Sequence, residues 1–271
     1  MLQPPPLNKR ELLRWTQELL KIKSIRPLKR YSQNFVVNPC IILDILKLID
    51  NRRPFIEIGA GLGTLSYYLT RHNRRNNICF EIDWRLANIA IEYVESPSIL
   101  LVSDALKHDW VYEQIVSNAP YHITSDILVK TAKSNNVMKA IFVFQIDVVD
   151  RLLAKPGQRK YGRITILINT LFEVVPGPVY PPKFFYPPPE VSSRLVVLIR
   201  RREYDRLIER LENLTRKIFS KRRKRAIKVL TREFNLSENK LLELGIKSTT
   251  RVYELSPGVL LRLAEELRDI N

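Results

Sequence analysis

Asn118-Ala119-Pro120-Tyr121 follows the apolar run EQIVS and places an amide, a ring without an N–H and a phenol in a row. An exocyclic amine on an aromatic base is a poor nucleophile, because its lone pair is delocalised into the ring. Activating it calls for hydrogen-bond acceptors rather than a strong base. The Asn118 side-chain carbonyl and a neighbouring backbone carbonyl can accept both amine hydrogens, which favours pyramidal geometry and frees the lone pair. Pro120 stiffens the turn and removes an N–H that would compete. Tyr121 offers a flat face for a flipped base. The same four residues would also serve simply to end a strand and cap the next helix.

A second group lies upstream. In E57-I-G59-A-G61-L-G63-T, glycines let the backbone turn tightly and let a ligand approach it closely. Glu81 stands 18 residues after Gly63, at the end of an apolar run. An acid there can accept both ribose hydroxyls of a nucleoside. Asp104, at the end of the next apolar run, can accept from an adenine exocyclic amine. A single acid at a strand end is often only a cap or turn former; two at successive strand ends beside a glycine turn suit a ligand better. The spacing G-x-G-x-G departs from the dinucleotide pattern, and no second nucleotide-binding half follows. S-adenosylmethionine fits better, since its sulfonium is a cation and Glu57, Glu81 and Asp104 are acids in an otherwise basic chain.

These residues need a scaffold that brings strand ends together. Strands are expected over 53–60, 77–83, 99–106, 113–120 and 139–147, with helices over 65–71, 85–94 and 123–133. Such alternation means a parallel sheet covered by helices on both faces. Residues 8–22 carry apolar positions at helical spacing, and a further helix is expected over 41–48 after Asn38-Pro39. The run 163–172 fits strand or helix equally. The proline-dense stretch 174–190 is expected to be irregular, and 192–201 a strand. Helices are expected over 204–219, 221–234 and 256–269. The domains expected are therefore 1–202, an α/β domain with an N-terminal helical extension, and 203–271, a small helical domain.

The chain has 271 residues, 45% of them apolar, and a net charge of +17. A surface this basic attracts polyanions, nucleic acid first and anionic membrane second. RKIFSKRRKRAIKVLTR (216–232) holds nine of the cations together with an apolar set that would anchor it. Arg222, Arg223, Lys224 and Arg225 are its expected RNA contacts, on phosphates rather than bases; a membrane-surface helix is the other reading. No run reaches the roughly 18 apolar residues needed to cross a bilayer, and the N-terminus lacks an apolar signal core. A cytoplasmic, monomeric protein with no membrane partner is expected. Cys40 and Cys79 are isolated, and His72, His108 and His122 lack ligand spacing, so no metal site is expected.

Asn118-Ala-Pro-Tyr121 resembles the Asn-(Leu/Ile/Pro)-Pro-Tyr signature of N6-adenine methyltransferases. With Q33-N34-F35, E57-I-G-A-G-L-G63, E81-I-D83, S103-D-A-L106 and F185-Y-P-P-P-E-V191, the chain from about Lys29 to Arg232 resembles the small-subunit ribosomal RNA adenine N6,N6-dimethyltransferase family. The resemblance implies a Rossmann-like methyltransferase sheet of seven strands with a C-terminal helical domain. It implies S-adenosylmethionine contacts at Asn34, Val36, Gly59, Glu81, Asp104 and Asn118, and stacking of the target base on Tyr121 and Phe185. The implied substrate is two adjacent adenines in a hairpin near the 3′ end of small-subunit rRNA, within a pre-ribosomal small subunit. Ser32 and Ser103 stand where the family usually has Gly, and Ala119 replaces a larger apolar residue. Two rival readings share the fold: a large-subunit rRNA methyltransferase, and a non-catalytic assembly or transcription factor.

Overall fold

A computed structural model of the chain describes residues 3–267. The chain forms two compact units. The first begins with α1 (Lys9–Ile22), where the Asn8 side chain accepts from the N–H groups of Arg10 and Glu11 and so satisfies two donors that the first turn leaves open. β1 (Phe35–Val36) follows, then α2 (Pro39–Leu46), capped by Asn38 with proline at its first position, where a missing N–H costs nothing. The expected alternation comes next: β2 (Phe55–Ile58), α3 (Thr64–His72), β3 (Ile78–Glu81), α4 (Trp84–Ala90), β4 (Ile99–Val102), β5 (Gln114–Asn118), α5 (Thr124–Lys133) and β6 (Lys139–Gln145). After α6 (Ile146–Leu152) and α7 (Arg163–Leu171), the chain returns in β7 (Phe172–Tyr180), β8 (Phe185–Tyr186) and β9 (Ser193–Arg200).

Seven strands make one sheet in the order β4-β3-β2-β5-β6-β9-β7. β4 through β6 pair in parallel, and β9 runs antiparallel to β6 with Phe142 opposite Val196. Every residue of the central β2 is buried, as expected of a strand covered on both faces. The strand order changes direction between β2 and β5. Loops leaving the carboxyl ends of those two strands therefore diverge and open a crevice, the usual ligand position in such sheets.

Two expectations change here. The ambiguous run 163–172 is helix over Arg163–Leu171 and turns to strand at Phe172; the helix is started by the Thr165 hydroxyl, which accepts the Gly162 N–H. The stretch 174–190 is not irregular throughout. β7 extends to Tyr180 through Pro176 and Pro178, which is possible because β7 is the last strand of the sheet and an edge strand needs only alternate N–H groups. Gly177 makes room there for Leu195 of β9: a Cβ would fall 2.5 Å from its Cδ2, so the leucine side chain would have to move. Further on, β8 pairs antiparallel with β1, Phe35 opposite Tyr186 and Val36 opposite Phe185.

The domain boundary also differs. The first unit runs through Ile146 and includes Val175–Ile199, and the second takes Asp147–Val174 and continues from Arg200. A single cut after 202 is thus corrected, because α7 packs on helices of the second unit, α8 (Arg206–Phe219) and α11 (Pro257–Glu266). Between these lie α9 (Ala226–Phe234) and α10 (Glu238–Glu243). The last two positions of the helix expected over 256–269 lie outside the described residues. The helix expected from 221 begins only at Ala226. Residues 221–225 form a turn whose carbonyls are taken by the strip that precedes α11: Val252 N–H donates to Lys224 O (3.1 Å), Tyr253 N–H to Arg222 O (3.1 Å). Five consecutive cations would also repel one another at helical spacing.

Candidate active site

The glycine turn after β2 has all three glycines at positive φ, 78° at Gly59, 60° at Gly61 and 79° at Gly63. At Gly63 a Cβ would meet the Ala90 backbone of α4 at 2.9 Å, so this glycine serves helix packing. At Gly59 a Cβ would sit 3.5 Å from the Pro120 ring. The two loops diverging from β2 and β5 therefore meet at Gly59 and Pro120, and Pro120 is a packing partner as well as a stiffener.

One cavity collects the residues that the sequence singles out. Asn34, Val36, Gly59, Glu81, Asp104, Asn118 and Tyr121 all line it. The Asn118 amide Nδ2 donates to the Asn34 carbonyl (3.1 Å), which leaves Oδ1 as the acceptor end. The Asn34 side chain donates to the Ser32 carbonyl (3.0 Å), and Ser32 itself is left-handed, with φ 47°. The Tyr121 hydroxyl bonds the Ser193 hydroxyl at 2.9 Å. Burial raises the Tyr121 phenol above its ordinary value, so it stays neutral. Asp104 accepts the Leu106 N–H at 2.9 Å, the turn-forming part of its role.

Glu81 is held by backbone donors: Oε2 accepts the Gly61 N–H (2.7 Å) and Oε1 the Asp83 N–H (2.9 Å). Burial pushes its carboxyl up, and these two N–H groups pull it back. Sequence reasoning missed the support behind it. Gln33 accepts the Leu28 N–H (2.7 Å) and donates to Asp83 (2.8 Å), while Arg85 pairs with Asp83 at 2.6 Å and holds that carboxyl below its usual range. The available signal was the joint presence of Q33-N34-F35 and E81-I-D83. Glu81→Gln keeps the shape and removes the charge. It is expected to weaken S-adenosylmethionine binding by about 1.5–3 kcal/mol; calorimetry giving unchanged affinity would refute the ribose assignment.

Glu57 lines the cavity, is 1% exposed, and its Oε2 has no hydrogen-bond partner. Burial raises its carboxyl to about 7, partly offset by the nearby Ser66 hydroxyl and Cys79 thiol, with Glu81 adding repulsion. A group raised on folding binds more protons in the folded state. Its stabilising contribution is complete below the unfolded value of 4.5 and is lost as pH rises through about 7,. Melting temperature is therefore expected to fall over that window in the wild type and to fall less in Glu57→Gln. Binding of the cationic cofactor near pH 7 is expected to release protons, read as a dependence of calorimetric heat on buffer ionisation enthalpy.

Two expected site residues are packed or bonded within the protein. Phe185 is 2% exposed and packs in the apolar core with Val36, Ile41 and Tyr180, and of these only Val36 is among the residues that line the cavity. The short pairing of β8 with β1 turns its ring inward. In the second unit, Arg223, Lys224 and Arg225 are exposed on the turn. Arg222 is half-buried, with its guanidinium on the Arg159 carbonyl (2.9 Å) and 5.6 Å from the Tyr253 ring, so its charge is engaged within the protein.

Residues 26–269 match the family model described as ribosomal RNA adenine dimethylase. The chain belongs to that family. A probable ribosomal RNA small subunit methyltransferase A of Pyrobaculum islandicum is 32% identical over 227 residues, 83% of this chain and 94% of that one. The ribosomal RNA small subunit methyltransferase A of Ehrlichia chaffeensis is 31% identical, over 87% of this chain and 94% of its own. A dimethyladenosine transferase from Plasmodium falciparum shares the fold, with a TM-score of 0.75 at 23% identity over 86% of this chain and 97% of that one. The 23S rRNA methyltransferase ErmE has a TM-score of 0.67 at 25% identity, over 87% and 100%. As a member of the ribosomal RNA adenine dimethylase family, the chain is an S-adenosylmethionine-dependent methyltransferase. The cavity suits that cofactor: it offers buried acids, an unpartnered Glu57 oxygen and, at Gly59, a glycine whose positive φ leaves the turn without a side chain.

Proposed function

We propose that the chain dimethylates N6 of two adjacent adenines in a hairpin near the 3′ end of small-subunit rRNA, acting as a cytoplasmic monomer on a pre-ribosomal small subunit and so in its biogenesis. The observation that carries this reading is that Asn118 and Tyr121 line the same cavity as Glu81 and Asp104. An amine acceptor and a nucleoside site thus share one space. No helix among the described residues is long and apolar enough to cross a membrane.

Bound S-adenosylmethionine supplies an electrophilic methyl group. Glu81 would hold the ribose hydroxyls and Asp104 the adenine amine, and Asn34, Val36 and Gly59 would border the remainder. Asn118 Oδ1 accepts an N6 hydrogen of the target base, while its Nδ2 stays tied to Asn34. That tie fixes the amide's orientation, so the acceptor is in place before the base arrives. Tyr121 contributes its ring rather than a proton, since its hydroxyl is bonded to Ser193 and its phenol is raised.

Tritium transfer from labelled S-adenosylmethionine to unmodified small subunits, followed by nucleoside analysis, is expected to give N6,N6-dimethyladenosine. In a parallel reaction with large subunits, label taken up there and not by small subunits would overturn the substrate, and no label in either would overturn the enzymatic reading. On the RNA side, changing Arg223, Lys224 and Arg225 to Gln is expected to weaken binding and to flatten the salt dependence of log K by about 0.7–0.9 per lost phosphate contact. An unchanged slope would make the turn a solvated face. Cofactor affinity is expected to stay the same.

A further inference from the structure

Three consecutive prolines, 4–6, are tied to a group of aromatic side chains. The Gln3 carbonyl accepts from two of them at once, Trp15 Nε1 in α1 (2.9 Å) and the Tyr93 hydroxyl in the turn after α4 (3.2 Å). The Pro5 carbonyl accepts from the Tyr68 hydroxyl of α3, and Pro5 itself is buried. The rings form one array. Trp15 meets Tyr93 edge to face at 5.6 Å, and Tyr67 meets Tyr93 at 6.2 Å and Tyr68 at 5.0 Å. Indole and phenol donors on the carbonyls of a proline run are the means by which aromatic grooves hold proline-rich segments. Both the proline run and α1 precede residues 26–269, the span that matches the family.

The same array borders the glycine turn. Tyr93 is 3% exposed, and a Cβ on Gly63 would fall 3.0 Å from its ring, so the ring lies directly against the turn. Leu62, next to Gly63 and a lining residue of the cavity, packs in one apolar cluster with Tyr93 and with Leu19 and Leu20 of α1; Trp15 packs against that cluster. All three glycines of the turn stand at positive φ. Glycine populates both signs of φ about equally, so the turn needs packing from outside to hold that shape. We propose that residues 3–6 are a strap that positions the cofactor-binding turn: Trp15, Tyr68 and Tyr93 grip it, and the grip keeps Tyr93 and Leu62 seated against the turn. Proline fixes φ, which lowers the cost of ordering the strap. Coupling of this kind is reciprocal: the cofactor favours the fastened strap by the factor by which the strap favours the cofactor. The inference rests on the assignment of this cavity to S-adenosylmethionine and not on the RNA substrate.

The test compares wild type with the triple variant Pro4→Gly, Pro5→Gly, Pro6→Gly and with Tyr93→Phe, which removes the hydroxyl and keeps the ring against Gly63. Calorimetry reads S-adenosylmethionine affinity well below each melting temperature. Solvent exchange of the Trp15 indole N–H, identified among the three tryptophans by Trp15→Phe, reads whether the strap is fastened. The triple variant is expected to speed that exchange and to weaken cofactor affinity by about 5-fold or more, the lower end of ordinary coupling between sites. Tyr93→Phe should give a smaller loss in the same direction. In the wild type, saturating cofactor should slow Trp15 indole exchange. Wild-type cofactor affinity in a triple variant with fast indole exchange overturns the strap's role alone. So does a triple variant whose indole exchange stays slow, or wild-type exchange that ignores the cofactor. A wild type that binds no S-adenosylmethionine overturns the cofactor assignment together with the strap.

Discussion

Asn118→Ala is expected to slow single-turnover methyl transfer by about 10²–10³-fold, the usual effect of deleting one preorganised hydrogen-bonding group aimed at a reacting centre. The amide is half-buried at the end of β5 and donates to the Asn34 carbonyl at 3.1 Å. Truncation removes both the acceptor and the tie that orients it, while leaving the buried part of the strand intact. Melting temperature should therefore change little, and cofactor affinity should change far less than the rate. Asn118→Asp keeps an acceptor but loses the donor to Asn34, and is expected to fall between wild type and Asn118→Ala. A normal single-turnover rate in Asn118→Ala would remove Asn118 from the chemistry.

Phe185→Ala is expected to act on stability. The ring is 2% exposed among Val36, Ile41, Ile42 and Tyr180, and truncating such a residue costs about 3–5 kcal/mol. For a domain of this size that corresponds to a fall of about 6–20 °C in melting temperature. The loss should be sharp because β8 and β1 share only a two-residue register, so the pairing depends on side-chain burial more than on backbone bonds. Phe185→Leu should recover most of the stability. The rate per folded molecule should stay near that of the wild type. A stable Phe185→Ala with a slowed rate would restore the stacking role implied by the family resemblance.

Much of the fold and part of the site could be read from residue order. Strand–helix alternation over 53–147, the glycine turn, and acids at strand ends are local patterns, and each follows from backbone periodicity or from what a turn allows,. That Asn118, Glu81 and Asp104 border one cavity was legible because a parallel sheet brings successive carboxyl ends to one edge. The charge of +17 was legible because composition needs no coordinates.

Tertiary structure decided the direction in which side chains of short or irregular segments point. Phe185 and Tyr186 are neighbours in a proline-dense stretch, and only pairing with β1 determines which ring enters the core. Pro176 and Pro178 lie in a strand because that strand is at the sheet's edge, a position set by chain return rather than by local preference. Arg222 and Arg223 are identical in type, yet one is drawn to the Arg159 carbonyl and the other left on the surface. Tyr31 and His122 are 91 residues apart in sequence, and their rings meet only because two turns converge on one cavity. Periodicity fixes which residues share a face of an element; what that face meets depends on segments far away in the chain, and burial follows from that meeting.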